Sequence, residues 1–439
     1  MHIIQPLLFI LISSFAVWIF SKKVRSIARN IHLGKNELIN DQPAARWKNV
    51  LLLAFGQKKM FRNPLVAFLH IFVYAGFVII NIEILEIIVD GITGKHRIFA
   101  PYLNGLYPAL INAFEFLALA VLIACVVFLT RRYLTNIKRF KSSELSGWPQ
   151  KDATIILYTE IILMSLFLLM NACDTLLQQR GDAHYTAHLT GNFWISSLLH
   201  GWLNNYSTTT LVIMERASWW LHIVGIFAFL NYLPYSKHLH IILAFPNAYY
   251  ARLTPAGTME NMPTIQQEVL YAMQPELAPT GEVAPPARFG AKDVMDLSWK
   301  NLLDAYSCTE CGRCTAACPA NQTGKRLSPR KIMMDTRDRL EEVGMVIDKK
   351  GQWEEDGRSL LHDFISTEEL NACTTCNACV EECPVSISPL DIILQLRRNL
   401  VMEESNTPAE WAAVFNNVEN NFAPWKFSPD DRDQWTKNA

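Results

Sequence analysis

Eight of the ten cysteines in this chain fall into two copies of one pattern. Cys308, Cys311, Cys314 and Cys318, followed by Pro319, form the first; Cys373, Cys376, Cys379 and Cys383, followed by Pro384, form the second. Both read C-x2-C-x2-C-x3-C-P. Each iron of a [4Fe–4S] cube takes one thiolate, and in this run the fourth cysteine ligates the other cluster. The spacing therefore assigns one cube to Cys308, Cys311, Cys314 and Cys383, and the other to Cys318, Cys373, Cys376 and Cys379. Zinc sites pair two short C-x2-C units without a third cysteine and a trailing Cys-Pro, so zinc and disulfides fit the pattern poorly. Two cubes in one domain move electrons.

Half of the residues are apolar, and nearly all the long apolar runs precede residue 245. Five stretches have the length of a membrane span, at 3–21, 65–89, 107–130, 153–176 and 217–241. The first lacks a basic leader and a cleavage site, and Lys22, Lys23, Arg25 and Arg29 follow it at once. It reads as an uncleaved span. Ten Lys/Arg lie in 22–63 and six in 131–152, against few in the opposite loops. The positive-inside rule puts both basic segments in the cytoplasm and the N-terminus outside. The cysteine-rich region then emerges into the cytoplasm, where thiols stay reduced. The expected location is a bacterial inner membrane. A net charge of −1 leaves no basic footprint for nucleic acid.

Residues 1–245 thus read as a five-span membrane domain, 246–295 as a Pro-rich linker or strap, 296–403 as a helical two-cluster domain and 404–439 as a tail for partner docking. Pro255, Pro263, Pro275, Pro279, Pro285 and Pro286 interrupt any long helix in the linker. The segments 190–214 and 45–60 have the pattern of amphipathic helices on the outer and inner membrane surfaces. Helical apolar spacing recurs at 327–343 and 389–403. The tail, with Trp411, Phe415, Phe422, Trp425 and Trp435, is too short for its own core. The fold class is mainly α.

Ionisable groups inside a span are costly and are functional candidates by default. His70 lies near the inner end of the second span. On a straight fifth helix, the step from His222 to His240 is about five turns and ~27 Å, so both rings share one face; His238 points to the opposite face. His70 and His240, at similar depth, are the predicted axial pair for one haem b. His222 is a candidate for a second haem, with His184, His188 or His200 as its partner, and His238 is an alternate ligand. Glu83, Glu115 and Glu160 either carry protons for quinone chemistry or hydrogen-bond neighbouring helices. Cys125 and Cys173 read as packing residues.

With His70, His222, His240 and the stretch Pro234-Tyr235-Ser236-Lys237 in view, the membrane part resembles the haem-b-binding gamma subunit of respiratory nitrate reductases and the related membrane subunit of heterodisulfide reductase. In that family two histidines on the second span and two on the fifth hold two haems. Here the outer second-span position is near Ile80, which is no ligand. The cysteine domain is similar to the small iron–sulfur subunit of heterodisulfide reductase and to membrane-bound iron–sulfur oxidoreductases that take electrons from electron-transfer flavoprotein. These resemblances imply a subunit relaying electrons between a cytoplasmic partner and menaquinone or ubiquinone. The Cys-Cys pair of the CCG domain is absent, so the resemblance implies a separate CCG-type iron–sulfur subunit, itself fed by a flavoprotein. Two other classes stay open: a non-catalytic membrane anchor or redox sensor, and an ion-translocating redox subunit.

Overall fold

The computed structural model describes residues 4–255, 257–259, 261–279, 288–426, 428–431 and 433–437. The helices Ile4–Ile31, Pro64–Thr93, Leu106–Tyr133, Trp148–Gln179 and Thr208–Tyr232 are the expected spans, the first four longer than their apolar runs. Their starts have local causes. Asn63 accepts from the Val66 amide ahead of Pro64, and Ser207 accepts from the Thr210 amide; both satisfy amides that a helix start leaves unpaired. Gly94 ends the second span at φ 68°, a left-handed stop that suits glycine.

The spans form a ring. The second packs on the third, the third on the fourth and the fourth on the fifth, and the first closes the circle between fifth and second. At the closure the Phe9 ring lies where a Cβ on Gly91 would come within 2.6 Å of it.

The fifth span departs from expectation. It ends at Tyr232, a 3-10 turn covers Leu233–Tyr235, and a second helix starts only at His240 and runs to Tyr249. Pro234 cannot donate to the preceding turn. Asp152 from the fourth span then captures the freed chain, accepting from Tyr232 Oη, Ser236 Oγ at 2.6 Å and the Lys237 amide at 3.1 Å. His222 and His240 therefore do not share one straight helix, and the argument that they share a face fails. So does the placing of His238 opposite His240: the two rings lie 5.6 Å apart.

Two surface expectations also change. The segment 190–214 holds a 3-10 turn, Ser196–Leu199, a single turn, His200–Leu203, and the start of the fifth span, rather than one amphipathic helix. The inner segment is helical in pieces, Pro43–Asn49, Val50–Phe55 and Lys58–Arg62, with Trp47, Leu51 and Phe55 exposed.

The cysteine domain is built on the helices Trp299–Ser307, Pro329–Lys350 and Pro389–Met402. The described residues include no strand, only the isolated bridges Lys35–Ser298 and Leu361–Ile365. The domain sits on the end of the bundle that carries both basic segments. The first helix runs out of the ring onto it, where Lys23 meets Glu341 at 2.7 Å and Asn30 donates to Tyr306 Oη at 3.0 Å. Arg62 pairs with Glu381 and Glu382, and buried Arg330 reaches Glu144 at 2.8 Å. In the linker, Pro263–Met273 is a helix without a buried residue, and Pro285 and Pro286 lie outside the described residues. The tail helix Ala409–Asn421 is likewise uncovered, and Trp411, Phe415, Trp425 and Trp435 are exposed.

Candidate metal centres

The two cysteine runs fold alike. In each, the second residue after the first cysteine and the residue after the second cysteine have positive φ: Glu310 at 52° and Gly312 at 72°, Thr375 at 56° and Asn377 at 61°. These turns fold the first three cysteines of a run around one point. A short helix follows, Arg313–Ala317 or Ala378–Glu382, and ends at the fourth cysteine. The two short helices pack on each other, so each hands its trailing cysteine to the other loop. Cys308, Cys311, Cys314 and Cys383 consequently line one cavity, and Cys318, Cys373, Cys376 and Cys379 line another. Among the described residues no three His, Cys, Asp or Glu are arranged to hold a single metal ion. Four thiols spread around a cavity suit a multi-iron cube, which presents one iron to each.

Five of these sulfurs, Cys308, Cys314, Cys373, Cys379 and Cys383, are poorly placed to ionise. Burial pushes the Cys308, Cys379 and Cys383 thiols up to about 12. They become thiolates when iron displaces the proton. Backbone amides stand ready to share the charge: Thr375 N donates to Cys373 Sγ at 3.4 Å and Ile387 N to Cys383 Sγ at 3.3 Å.

The first loop is fastened to the membrane bundle. Lys237, in the turn before His238, donates to Glu310 Oε2 at 2.6 Å, and Arg337 donates to Glu310 Oε1 at 2.8 Å. Burial raises the Glu310 carboxyl, but Arg337 and Lys237 outweigh it and hold the group below its usual range. The sequence reading missed this contact. Its signal was an acid inside the cysteine run and a lysine beside two histidines.

His70, His238 and His240 lie within electrostatic reach of one another. His70 Nδ1 faces Gln57 Oε1 at 2.9 Å and His240 Nδ1 faces the Lys237 carbonyl at 2.9 Å. An oxygen acceptor at Nδ1 fixes the proton there and leaves Nε2 as a free lone pair, the arrangement found behind metal-ligating histidines. Each of these two rings therefore presents a free Nε2, as an axial haem ligand must. Among the described residues His238 shows no such bond through its ring; it packs edge-on and tilted against Phe77 and Phe229.

His222 is buried deeper in the ring of helices, with Nδ1 on the Leu163 carbonyl at 2.9 Å. The proposed outer partners are elsewhere. His200 Nε2 is bonded to Thr175 Oγ1 at 3.0 Å, His184 packs on His96, and neither these nor His188 line the cavity at His222. The three acids also separate. Glu83 pairs with Arg97 at 3.3 Å, in a buried cluster where Arg97 also reaches Asp174 at 2.9 Å. Glu115 accepts from Asn171 Nδ2 at 3.1 Å and from the Ile195 and Ser196 amides at 3.0 and 3.1 Å. Glu160 has no hydrogen-bond partner among the described residues and lines the cavity at His222. Cys125 and Cys173 are buried, free and apart.

Comparison with known proteins agrees with this chemistry. A family model described as a 4Fe-4S dicluster domain matches residues 307–387. The chain is 27% identical over 467 aligned positions, covering 100% of itself, to the probable iron-sulfur-binding oxidoreductase FadF of Bacillus subtilis. It is 28% identical over 419 positions, covering 90% of itself, to the EtfAB:quinone oxidoreductase of Syntrophomonas wolfei. A shorter match, 34% identical over 167 positions and 34% of the chain, is to the probable membrane-anchored ferredoxin of Chromohalobacter salexigens, of which it covers 24%. The chain spans 61% and 54% of the length of the first two relatives. No solved structure matches it. With its five apolar helices and its cysteine domain, the chain is a membrane protein related to iron–sulfur oxidoreductases.

Proposed function

We propose that this chain is a membrane-anchored electron-transfer unit linking a soluble redox partner on the cytoplasmic side of a bacterial inner membrane to the quinone pool. Cys308, Cys311, Cys314 and Cys383 hold one cube, Cys318, Cys373, Cys376 and Cys379 the other, and His70 and His240 a haem b. When bound, these centres carry one electron at a time, so a two-electron donor and a quinone exchange electrons without direct contact.

The observation that carries the reading is the Lys237–Glu310 ion pair. It ties the loop around the first cavity to the turn that bears His238 and His240, so the cluster domain is registered on the bundle rather than merely tethered. The second cavity includes exposed Cys376, which makes it the end open to a partner. The name of the Syntrophomonas relative, an EtfAB:quinone oxidoreductase, supports electron-transfer flavoprotein as the distal donor and quinone as the acceptor. The acids an ion pathway would need are partly occupied, since Glu83 and Glu115 are held by Arg97, Asn171 and backbone amides.

The test is an optical spectrum of the purified, dithionite-reduced protein with its His variants. His70→Ala and His240→Ala should each remove the α-band of a bis-histidine haem b. His238→Ala should retain it, because its ring lacks the oxygen partner that fixes the other two. Loss of the band in His238→Ala alone, or a wild-type protein without haem absorption, sinks the assignment.

A further inference from the structure

A partly open cavity lies between the second, third, fourth and fifth spans, and the electron relay leaves it without a role. Its polar groups are His222, Glu160 and Asn81; Phe77, Ile80 and Phe229 are among its apolar walls. His222 is 2% exposed, and with Nδ1 committed to the Leu163 carbonyl its Nε2 is an unpartnered acceptor. Glu160 adds a carboxyl without a partner among the described residues. The second span offers Ile80 here, so an iron centre would find a single nitrogen ligand. Two acceptors facing an apolar cavity instead match a flat, lipophilic molecule with two O–H donors. Phe77, a wall of the cavity, is itself 37% exposed, which gives such a molecule an edge to enter by. Phe77 and Phe229 also pack on His238 at ring distances of 6.4 and 5.5 Å, placing the cavity one side chain away from the His70–His240 cluster.

We propose that this cavity binds the hydroquinone headgroup of a membrane quinol, with one hydroxyl on His222 Nε2 and the other on the Glu160 carboxylate. The proposal rests on the electron-transfer reading above and locates its quinone chemistry. Oxidation breaks both O–H bonds of the hydroquinone: one proton goes to His222 Nε2, one to Glu160, and two electrons leave singly to the iron centres of the relay, forming the quinone. Reduction of quinone is the reverse, with the same two groups returning the protons.

The test uses the full chain in detergent with its iron centres in place and 2-heptyl-4-hydroxyquinoline N-oxide as a fluorescent quinol analogue. Glu160→Gln and His222→Gln keep the side-chain shape, and each should weaken analogue binding about tenfold or more, the scale of one lost hydrogen bond to a charged or buried group. Iron content and the reduced α-band should stay at the wild-type level, which shows that the fold is retained. Unchanged affinity in both variants overturns the site. Loss of haem absorption in His222→Gln also overturns it, because the cavity then holds a haem. The relay fails separately: if both variants lose the analogue but added quinol reduces no iron centre in the wild-type protein, the site stands and the relay falls. If quinol reduces those centres equally well in wild type and variants, the relay stands and the site falls.

Discussion

At the residue scale, Gly312 carries the tightest constraint on the first cavity. Its φ is +72°, and a Cβ there would sit 2.4 Å from Arg330 Nη1. Arg330 is fully buried and donates to the Arg139 carbonyl at 2.9 Å as well as to Glu144, so it has little room to yield. Gly312→Ala combines a left-handed alanine, costing roughly 1–2 kcal/mol, with that clash. Iron should fall from about eight per chain, as two four-iron cubes require, toward about four. Asn377 holds the matching place in the second run and tolerates positive φ as asparagine commonly does, so Asn377→Gly should leave the iron count unchanged. Crossed ligation gives a second prediction at this scale. Cys318→Ser should damage the cube of Cys373, Cys376 and Cys379 more than that of its own run. An EPR spectrum in which only the first-run cube disappears sinks the crossing.

At the element scale, the break after the fifth span decides where the histidines point. Asp152 holds that break through Tyr232, Ser236 and the Lys237 amide, and is itself buried. Asp152→Ala leaves these donors without their acceptor, a loss of about 1–3 kcal/mol for each buried group left unpaired. The turn should loosen and the protein should retain less haem, measured as α-band absorbance per cluster iron, while the cubes stay intact. Equal haem retention would show that the His240 position does not depend on this turn. Lys237→Met removes the link from the turn to Glu310 while Arg337 keeps Glu310 paired. Both centres should then still assemble, and electron exchange between the cubes and the haem, followed by stopped-flow absorbance, should slow. An unchanged rate would make the ion pair a stability contact only.

At the scale of the whole molecule, the basic segments have two jobs. They lie at the end of the bundle where the positive-inside rule expects the cytoplasm, and they also clamp the cysteine domain through Lys23, Arg62 and the loop that carries Arg139 and Glu144. Among the described residues of the tail, Trp411, Phe415, Trp425 and Trp435 are exposed, and exposed apolar patches mark interaction sites. Removing residues 418–439 should release a soluble partner while leaving both the cluster signals and the haem spectrum unchanged. Retention of the partner at wild-type affinity would move the docking site elsewhere.

The sequence by itself determined the two sets of four cysteines and the order of the elements. Cysteine spacing is a local property, and so is a run of apolar residues long enough to cross a bilayer; both can be read without knowing what packs on what. The five spans, the helical cysteine domain and the side of the bundle from which it hangs follow from such local signals. The tertiary structure decided how those signals are combined. His222 and His240 looked collinear because periodicity assumes a straight helix, and Asp152, some 80 residues away in sequence, holds the chain where Pro234 breaks it. Glu83, Glu115 and Glu160 were equivalent as acids in apolar runs, and were separated only when Arg97 and the 195–196 amides were found beside the first two. Partnership between side chains distant in sequence leaves no period or spacing to read, because it is set by packing of the helices after each has formed.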